Sequence, residues 1–381
     1  MKNITLLLFC LFSISLFAQR KTEPFQSEKL KGNRDITIDL PRSYSNNTDR
    51  KYPLLIALDG EYLLDPFSGV MSYATYWDDL PELIIVGISQ NKNGERIADS
   101  TVDPATGLPD EQGAAFFEFI GSELIPFLEK KYRVAPFKII TGHDITAGFL
   151  NFYLYKDQPL FNAYISLSPD FPLDMETHIA ERLALIKQPI YYYQATADGD
   201  VKKFTKKIKQ LDESLKVLKV PTLNYSFDDF KGASHYSLVL QAIPNALYHI
   251  FSSYQPITTT EYQEKIATLN GNYTEYLTNK YDIIEKALGI KMPIRVNDFK
   301  AIEAAILKNK AYPEFEKLAA VAKKNYPKSM LGDYHMALFY ENTGDFKRAA
   351  KAYQNGFGKN EIGDLTKDMM LERADALKNK S

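Results

Sequence analysis

The sequence predicts an α/β fold with a mostly parallel central sheet, helices on both faces and a small all-α C-terminal domain. Up to about residue 255, nearly continuous apolar runs alternate with amphipathic helical patterns. Such runs are typical of strands that are buried on both faces of a parallel sheet. From about residue 256 to residue 381 the strand signals disappear, and Lys, Ala, Glu and Tyr recur at helical spacing.

Several segments have strand patterns. In the first, apolar and polar residues alternate, as in a strand with one buried face, and the others are apolar runs. The segments are Asp35–Leu40, Tyr52–Leu58, Leu83–Ser89, Lys138–Thr141, Ala163–Leu167, Ile190–Ala195 and Leu223–Phe227. Helical spacing of apolar residues indicates helices between them, at Ala114–Tyr132, Gly148–Tyr155 and Val201–Leu218. We expect the first two strands, which are close in sequence, to start the sheet as an antiparallel pair.

The first residues, Met1–Ala18, have the pattern of a secretory signal peptide. Lys2 precedes an apolar region from Leu6 to Phe17, which is too short to span a membrane. The only cysteine, Cys10, lies in this segment, so we expect the mature chain to contain no disulfide and no thiol nucleophile. We predict an exported protein of the periplasm or the cell surface of a bacterium.

Length and charge limit the remaining possibilities. The 381 residues suit two domains after the signal, which we place at residues 19–255 and 256–381. The chain has 46 Lys and Arg against 48 Asp and Glu, which gives no electrostatic reason to expect a nucleic-acid partner. No metal-ligand spacing, phosphate loop or dinucleotide motif is present in the sequence, so we expect no metal, no cofactor and no membrane-spanning segment.

The helical region contains one segment with recognisable spacing. Tyr334, Ala337, Gly344, Ala349 and Tyr353 are arranged as in one tetratricopeptide-type repeat, with small residues where two antiparallel helices would pack. Repeat arrays normally need three or more units. A helical appendage that docks on the main domain and a peptide-binding array both remain open.

The segment most informative about chemistry runs from residue 138 to residue 155. Its sequence, Lys-Ile-Ile-Thr-Gly-His-Asp-Ile-Thr-Ala-Gly followed by an apolar helix, predicts a buried strand, a sharp turn and a helix. This is the context of a nucleophile elbow, in which one side chain is presented above the sheet. Backbone N–H groups at the start of the following helix can bind an oxyanion.

Besides the elbow, further stretches of the chain match one known protein family, and they occur in the order that is typical of it. They are Ile36–Tyr44, Tyr52-Pro53, Leu58-Asp59-Gly60, Ile84–Ile88 with Arg96 and Asp99, Phe117–Tyr132, Asp157–Pro169 and Gly232-Ala233-Ser234-His235. With these stretches the chain from Asp35 to about Ser252 resembles the esterase family that includes enterochelin esterases and esterase D. The resemblance implies an α/β-hydrolase fold.

The same resemblance implies the site residues. The family places Ser at position 144 and Gly at position 146, whereas this chain has Asp144 and Thr146. The catalytic His corresponds to His235. The remaining candidates, implied by position in the family, are Asp198 or Asp200 as the acid, Ile145 and Gly60-Glu61 as backbone oxyanion donors, and Arg96 and Asp99 at the cleft edge. A surface salt bridge explains the last two equally well.

Three interpretations of Asp144 compete. In the first, serine-esterase chemistry is lost, Asp144 forms an ion pair with His235, and the module binds an ester-like small molecule or, through its helical domain, an envelope protein. In the second, the protein hydrolyses small carboxylic or siderophore-type esters or related substrates, with Asp144 as nucleophile or His235 with water. In the third, Ser168 or Ser234 replaces the nucleophile. The sequence favours the first, since a carboxylate has no proton for His235 to take.

Overall fold

The protein, described here by a computed structural model of residues 19–378, is built on one eight-stranded sheet. The strands are β1 (Arg20–Ser27), β2 (Gly32–Asp39), β3 (Tyr52–Ala57), β4 (Ile84–Ile88), β5 (Val134–His143), β6 (Ala163–Leu167), β7 (Ile190–Gly199) and β8 (Leu223–Ser234). Their spatial order is β1-β2-β4-β3-β5-β6-β7-β8. The strands from β3 to β8 are parallel, which confirms the predicted fold class. The signal-peptide prediction for residues 1–18 lies outside the described residues.

The start of the sheet differs from the sequence prediction. Strand β2 pairs antiparallel with β1 and with β4, and β3 pairs only in parallel, with β4 and β5. The sequence analysis expected its first two strands, which are β2 and β3, to form an antiparallel pair, and this expectation is wrong. Strand β1 was missed because Arg20–Ser27 is a largely exposed edge strand that contains Pro24, so it carries no apolar run.

Helices cover both faces of the sheet. They are α1 (Gly60–Tyr76), α2 (Glu95–Ala98), α3 (Glu111–Glu118), α4 (Ile125–Lys131), α5 (Ile145–Phe149), α6 (Met175–Leu185), α7 (Lys202–Val217) and α8 (Ser237–Ile250). The helix predicted over Ala114–Tyr132 is interrupted by a π-helical turn at Phe119–Leu124. This turn ends two residues before Pro126, which lacks the N–H that a regular helix would use. The helix predicted at Gly148–Tyr155 is largely a 3₁₀ turn, Leu150–Tyr155.

The core lies on the two faces of the sheet, and β3 shows how it is divided. All six residues of β3 are buried. Leu54 and Ile56 belong to the apolar cluster beneath α3, α4 and α7, and Leu55 and Ala57 belong to the cluster beneath α1 and α8. This alternation is the expected consequence of the two-residue period of a strand.

The C-terminal region is helical, as predicted, with elements α9 (Thr259–Glu261), α10 (Tyr273–Leu288), α11 (Val296–Lys308), α12 (Glu314–Asn325), α13 (Leu331–Asn342), α14 (Phe346–Phe357) and α15 (Lys367–Lys378). The apolar cluster beneath α1 and α8 continues without a break into these helices. Gly344 adopts a positive φ of 86° in the turn between α13 and α14. The tetratricopeptide-type repeat and the domain boundary at residue 255 stay predictions. In the part of the chain that the structure describes, no helix is long and apolar enough to cross a membrane.

Candidate active site

Asp144 occupies the turn between β5 and α5. Its backbone has φ 62° and ψ −123°, a conformation that L-residues rarely adopt and that stores on the order of 1–3 kcal/mol of strain. The turn is tight on both sides. A Cβ on Gly142 would lie 2.8 Å from Thr146, and a Cβ on Gly148 would lie 2.1 Å from the carbonyl oxygen of Asp170. The fold therefore presents the Asp144 side chain at the carboxyl edge of the sheet, as the elbow pattern predicted.

The ion-pair partner of Asp144 is Arg96. Arg96 Nη1 lies 3.2 Å from Asp144 Oδ2. The guanidinium is held in place by Asp59, whose Oδ1 lies 2.6 Å from Nε, and by the carbonyl oxygen of His143, 2.8 Å from Nη2. The expected ion pair between Asp144 and His235 is therefore wrong: among the described residues Asp144 pairs with Arg96, and the ion pair of His235 is made by its Nδ1 with Asp200.

His235 is paired with Asp200. Its Nδ1 lies 2.8 Å from Asp200 Oδ1, and the Ser168 hydroxyl lies 3.0 Å from the same nitrogen. Burial would raise the pKa of the Asp200 carboxyl, but hydrogen bonds from His235, Thr196 and Ser168 outweigh it and hold that pKa below its ordinary value. Asp200 therefore stays ionised and orients the imidazole.

The other acid candidate, Asp198, is exposed. Its Oδ1 accepts a hydrogen bond of 2.9 Å from the backbone N–H of Gly232. Of the two candidates that the sequence left open, Asp200 is the one in contact with His235. Sequence reasoning could not choose, since the two acids are separated only by Gly199 at the end of β7.

The serines considered as replacement nucleophiles have other partners. Ser168 is fully buried, and its hydroxyl lies 2.8 and 2.7 Å from the two carboxylate oxygens of Asp200. Ser234 and Ser237 hydrogen-bond each other at 3.2 Å between their hydroxyl oxygens. Ser168 therefore supports the acid side of the site, and Ser234, the last residue of β8, is hydrogen-bonded to the first residue of α8.

His143 lies between Tyr62 and His235. Its Nε2–H donates to the carbonyl oxygen of His235 at 3.0 Å, and its Nδ1 faces the Tyr62 hydroxyl at 3.3 Å. Burial and the neighbouring His235 lower the pKa of His143 to about 4. The ring is therefore neutral at physiological pH and ties the His235 loop to the elbow.

Thr146 fills the place where the family resemblance implies Gly. Its hydroxyl lies 2.6 Å from Asp59 Oδ2 and accepts the backbone N–H of His143 at 3.0 Å. Tyr62 donates its hydroxyl to the same Asp59 oxygen at 2.8 Å. The sequence analysis assigned no role to Asp59. Two signals could have found it: Leu58-Asp59-Gly60 is part of the family resemblance, and Asp59 lies two residues after the end of β3.

The remaining predicted site residues are arranged around this network. Asp99 is fully buried and paired with Arg34 and Gln90, so it lies inside the protein and not at the cleft edge. Glu61 uses its carboxylate to accept the backbone N–H groups of Gln90 and Asn91, each at 2.8 Å. These contacts bind the loop after β4 to the start of α1.

The backbone candidates for an oxyanion site lie at helix starts. Gly60 begins α1 and Ile145 begins α5. Gly60 packs so closely on β4 that a Cβ there would lie 2.7 Å from the backbone carbon of Gly87. The role of these groups as oxyanion donors stays a prediction.

Comparison with known proteins places the elbow in a family. The sequence profile of the Esterase family, described as "Putative esterase", matches residues 27–173. A crystal structure of an uncharacterised protein from Capnocytophaga ochracea is 32% identical, with a TM-score of 0.84, and the match covers 95% of this chain and 100% of that chain. The chain belongs to the esterase family.

More distant structures share the fold of this family member. An IroE-like serine hydrolase from Shewanella oneidensis is 20% identical, with a TM-score of 0.59, over 80% of this chain and 99% of its own. The BES protein from Bacillus cereus is 19% identical, with a TM-score of 0.52, over 60% of this chain and 95% of its own. The search of curated proteins gave no match.

Proposed function

We propose that this protein is an exported esterase-family member that binds a ligand at its elbow and does not carry out serine-esterase chemistry. One observation carries the proposal: the elbow residue is the carboxylate Asp144, ion-paired with Arg96 at 3.2 Å. A carboxylate has no proton for His235 to remove and cannot form the usual acyl-enzyme through an alkoxide.

The electrostatics of the site support the same proposal. Ester hydrolysis requires donors aimed at a developing oxyanion. Here a negative charge already lies at the apex of the elbow, and the nearby guanidinium of Arg96 is engaged by Asp59 and Asp144. An oxyanion that formed beside Asp144 would be repelled by it, so the arrangement disfavours the transition state of acyl transfer.

The test is hydrolysis of nitrophenyl esters of short acids by five forms of the full chain. The parent is expected at the background rate. Asp144→Ser is expected to gain turnover, because the His235–Asp200 pair and the elbow backbone are in place. Asp144→Ala, the matched control, should gain none, and adding His235→Ala to Asp144→Ser should remove the gain. Strong parent activity that His235→Ala abolishes would reject the proposal.

A second candidate is an Asp-nucleophile hydrolase. The intact His235–Asp200 pair at 2.8 Å favours it, since a binding site has no need for an oriented base. Asp144 would attack an electrophilic carbon and form an ester with it, breaking a carbon–halogen bond to release halide, or a carbon–oxygen bond of an epoxide whose oxygen then takes a proton from water. His235 would then take a proton from a water that attacks the ester carbonyl, releasing the alcohol and restoring the carboxylate.

This candidate predicts a trapped intermediate. In a His235→Ala variant incubated with haloalkanes or epoxides, mass spectrometry of peptides should find Asp144 alkylated. His178→Ala, which changes an exposed histidine on α6, is the control. The absence of both adduct and turnover across ester, epoxide and haloalkane panels would remove the candidate.

Export and a partner for the helical region belong to the same proposal. The motivation for export is the signal pattern of residues 1–18. N-terminal sequencing of the protein from a secreting host should begin at Gln19, and an intact Met1 would contradict export. A partner that binds the helical region should be retained by variants at Asp144 and His235.

A further inference from the structure

The elbow site combines an excess of negative charge with an apolar mouth. Three carboxylates, Asp59, Asp144 and Asp200, lie at the carboxyl edge of the sheet, and one guanidinium, Arg96, pairs with two of them. His143 is neutral at physiological pH, since its pKa is about 4. The summed charge of these groups is therefore negative whichever protonation state His235 takes.

Two lysines of α7, Lys203 and Lys207, are paired with carboxylates outside this group. Lys203 pairs with Asp170 at 3.5 Å, and Lys207 pairs with Glu176 at 3.2 Å. Each lysine therefore has a carboxylate of its own. A ligand that enters the site meets a negative potential, and this favours a cation and disfavours an anion.

Asp144 has an unused oxygen. Its side chain is 27% exposed, and Arg96 contacts only Oδ2. Within residues 19–378, Oδ1 accepts no hydrogen bond from another side chain or from the backbone. It is therefore available to accept a charge-assisted hydrogen bond from a cationic ligand.

Exposed apolar residues are next in sequence to the charged residues, and the ring of Tyr236 also lies 6.1 Å from that of His143. Tyr236, 77% exposed, follows His235, and their rings lie 5.0 Å apart. Ile97, 73% exposed, follows Arg96. Ile97 belongs to α2, and Tyr236 lies between β8 and α8; we call the exposed apolar side chains that adjoin the charged residues the apolar mouth of the site.

Two further side chains extend this mouth. Tyr62 is 40% exposed, with its hydroxyl 3.5 Å from Arg96 Nη2, and Val201, 41% exposed, follows Asp200. Each of the four apolar side chains is thus a sequence neighbour or a contact of a charged site residue. Tyrosine faces also attract cations.

We propose that the elbow site binds a molecule with an apolar or aromatic body and a cationic head, of the alkylammonium or arylalkylammonium class. The ammonium group is held by Asp144 Oδ1 and by the face of a tyrosine, and the apolar body lies against Tyr236 and Ile97. This inference rests on the proposed function, because it assigns a ligand to a site that does not turn esters over.

The first experiment uses the parent protein and three probes that share one body. Phenylbutylamine, phenylbutanol and phenylbutyrate are titrated against the full chain at neutral pH by calorimetry. The amine is expected to bind about tenfold or more tightly than the alcohol, and the carboxylate is expected to bind most weakly. A carboxylate that binds as tightly as the amine, or an amine no better than the alcohol, overturns the proposal.

The second experiment assigns the two parts of the ligand. Asp144→Asn should remove the advantage of the amine over the alcohol, and Asp364→Asn, a remote exposed carboxylate paired with Lys300, should leave it unchanged. Tyr236→Ala should weaken the amine and the alcohol alike, and Val217→Ala, an exposed apolar residue at the end of α7, should weaken neither. An amine preference that survives Asp144→Asn overturns the assignment to Asp144.

The outcomes separate this inference from the proposed function. Ester turnover by the parent would remove the proposed function, whatever the probes show. A parent that neither hydrolyses esters nor prefers the amine would remove only the ligand assignment. If Asp144→Asn does not fold, the ranking of the three probes on the parent still decides.

Discussion

The Ser168 hydroxyl lies 2.8 and 2.7 Å from the two carboxylate oxygens of Asp200. Ser168 holds this position at a cost, since its backbone has a positive φ of 45°. The same hydroxyl lies 3.0 Å from His235 Nδ1. One buried side chain therefore fixes the acid and the imidazole together, and its removal tests how much the pair contributes to stability.

Ser168→Ala is expected to lower the free energy of unfolding by about 1–3 kcal/mol, because it removes a donor from a buried carboxylate. The matched control is Ser100→Ala, since the Ser100 hydroxyl is buried and has no hydrogen-bond partner among the described residues. That change should be nearly neutral. Urea denaturation of both variants measures the difference, and equal losses would contradict the role given to Ser168.

Thr146→Val is expected to destabilise the protein by about 1–3 kcal/mol, because the buried Asp59 carboxylate loses the donor that lies 2.6 Å away. Thr141→Val is the control with the same change of shape. The Thr141 hydroxyl is buried on β5 and has no partner among the described residues, so its removal should be neutral or stabilising. Thermal unfolding followed by circular dichroism ranks the two variants.

The free energy of unfolding should decrease as the pH is lowered, because His143 titrates differently in the folded and unfolded chain. Its pKa is about 4 in the folded protein and about 6.5 in the unfolded chain, so the unfolded chain binds more protons between these values. The free energy of unfolding therefore decreases as the pH falls from about 6.5 to 4, by about 3 kcal/mol over the full window.

His143→Gln removes this titration. The variant should lose less stability than the parent between pH 7 and pH 4.5, whatever its stability at neutral pH. His178→Gln, which changes an exposed histidine, should keep the slope of the parent. Denaturant titrations across the pH range measure the slope. Identical slopes for the parent and His143→Gln would contradict the burial of a neutral ring.

The sequence predicts the sheet well where burial leaves a periodic pattern. Leu54 to Ala57 read as a strand covered on both faces, and the structure divides them between two apolar clusters. The edge strand Arg20–Ser27 has no such pattern, because its residues face solvent and its pairing depends on β2. Exposed strands are specified by their neighbours more than by their own residues.

The site was predicted less completely, for a related reason. The elbow at Asp144 is local, so a strand, a turn and a helix in sequence reveal it. The partner of Asp144 is not local. Arg96 lies on the short helix α2, 48 residues earlier, and its orientation is set by Asp59 and the carbonyl of His143. The sequence alone cannot show whether Arg96 or His235 pairs with Asp144, since α2 and the segment that carries His235 come together only in the folded chain.

The helical region and the sheet should unfold as one cooperative unit. Arg295 links them: its Nη1 donates to the carbonyl oxygen of Tyr254 at 2.9 Å, and its Nε pairs with Asp78, next to the only tryptophan, Trp77. The apolar cluster is also continuous across this junction. Trp77 fluorescence and far-ultraviolet circular dichroism should therefore give coincident denaturation curves for the parent.

Arg295→Met tests how much the Arg295 contacts contribute to the stability of the junction between the sheet and the helical region. The side chain of Arg295 is only 10% exposed, so the change removes buried charge-assisted hydrogen bonds, and we expect a loss of about 2 kcal/mol. Arg348→Met, which removes an exposed pair with Asp345 in α14, should cost much less. Because the core still joins the two parts, the curves of Arg295→Met should stay coincident. Two separate transitions in the parent would show that the helices fold independently of the sheet and that the continuous core contributes little.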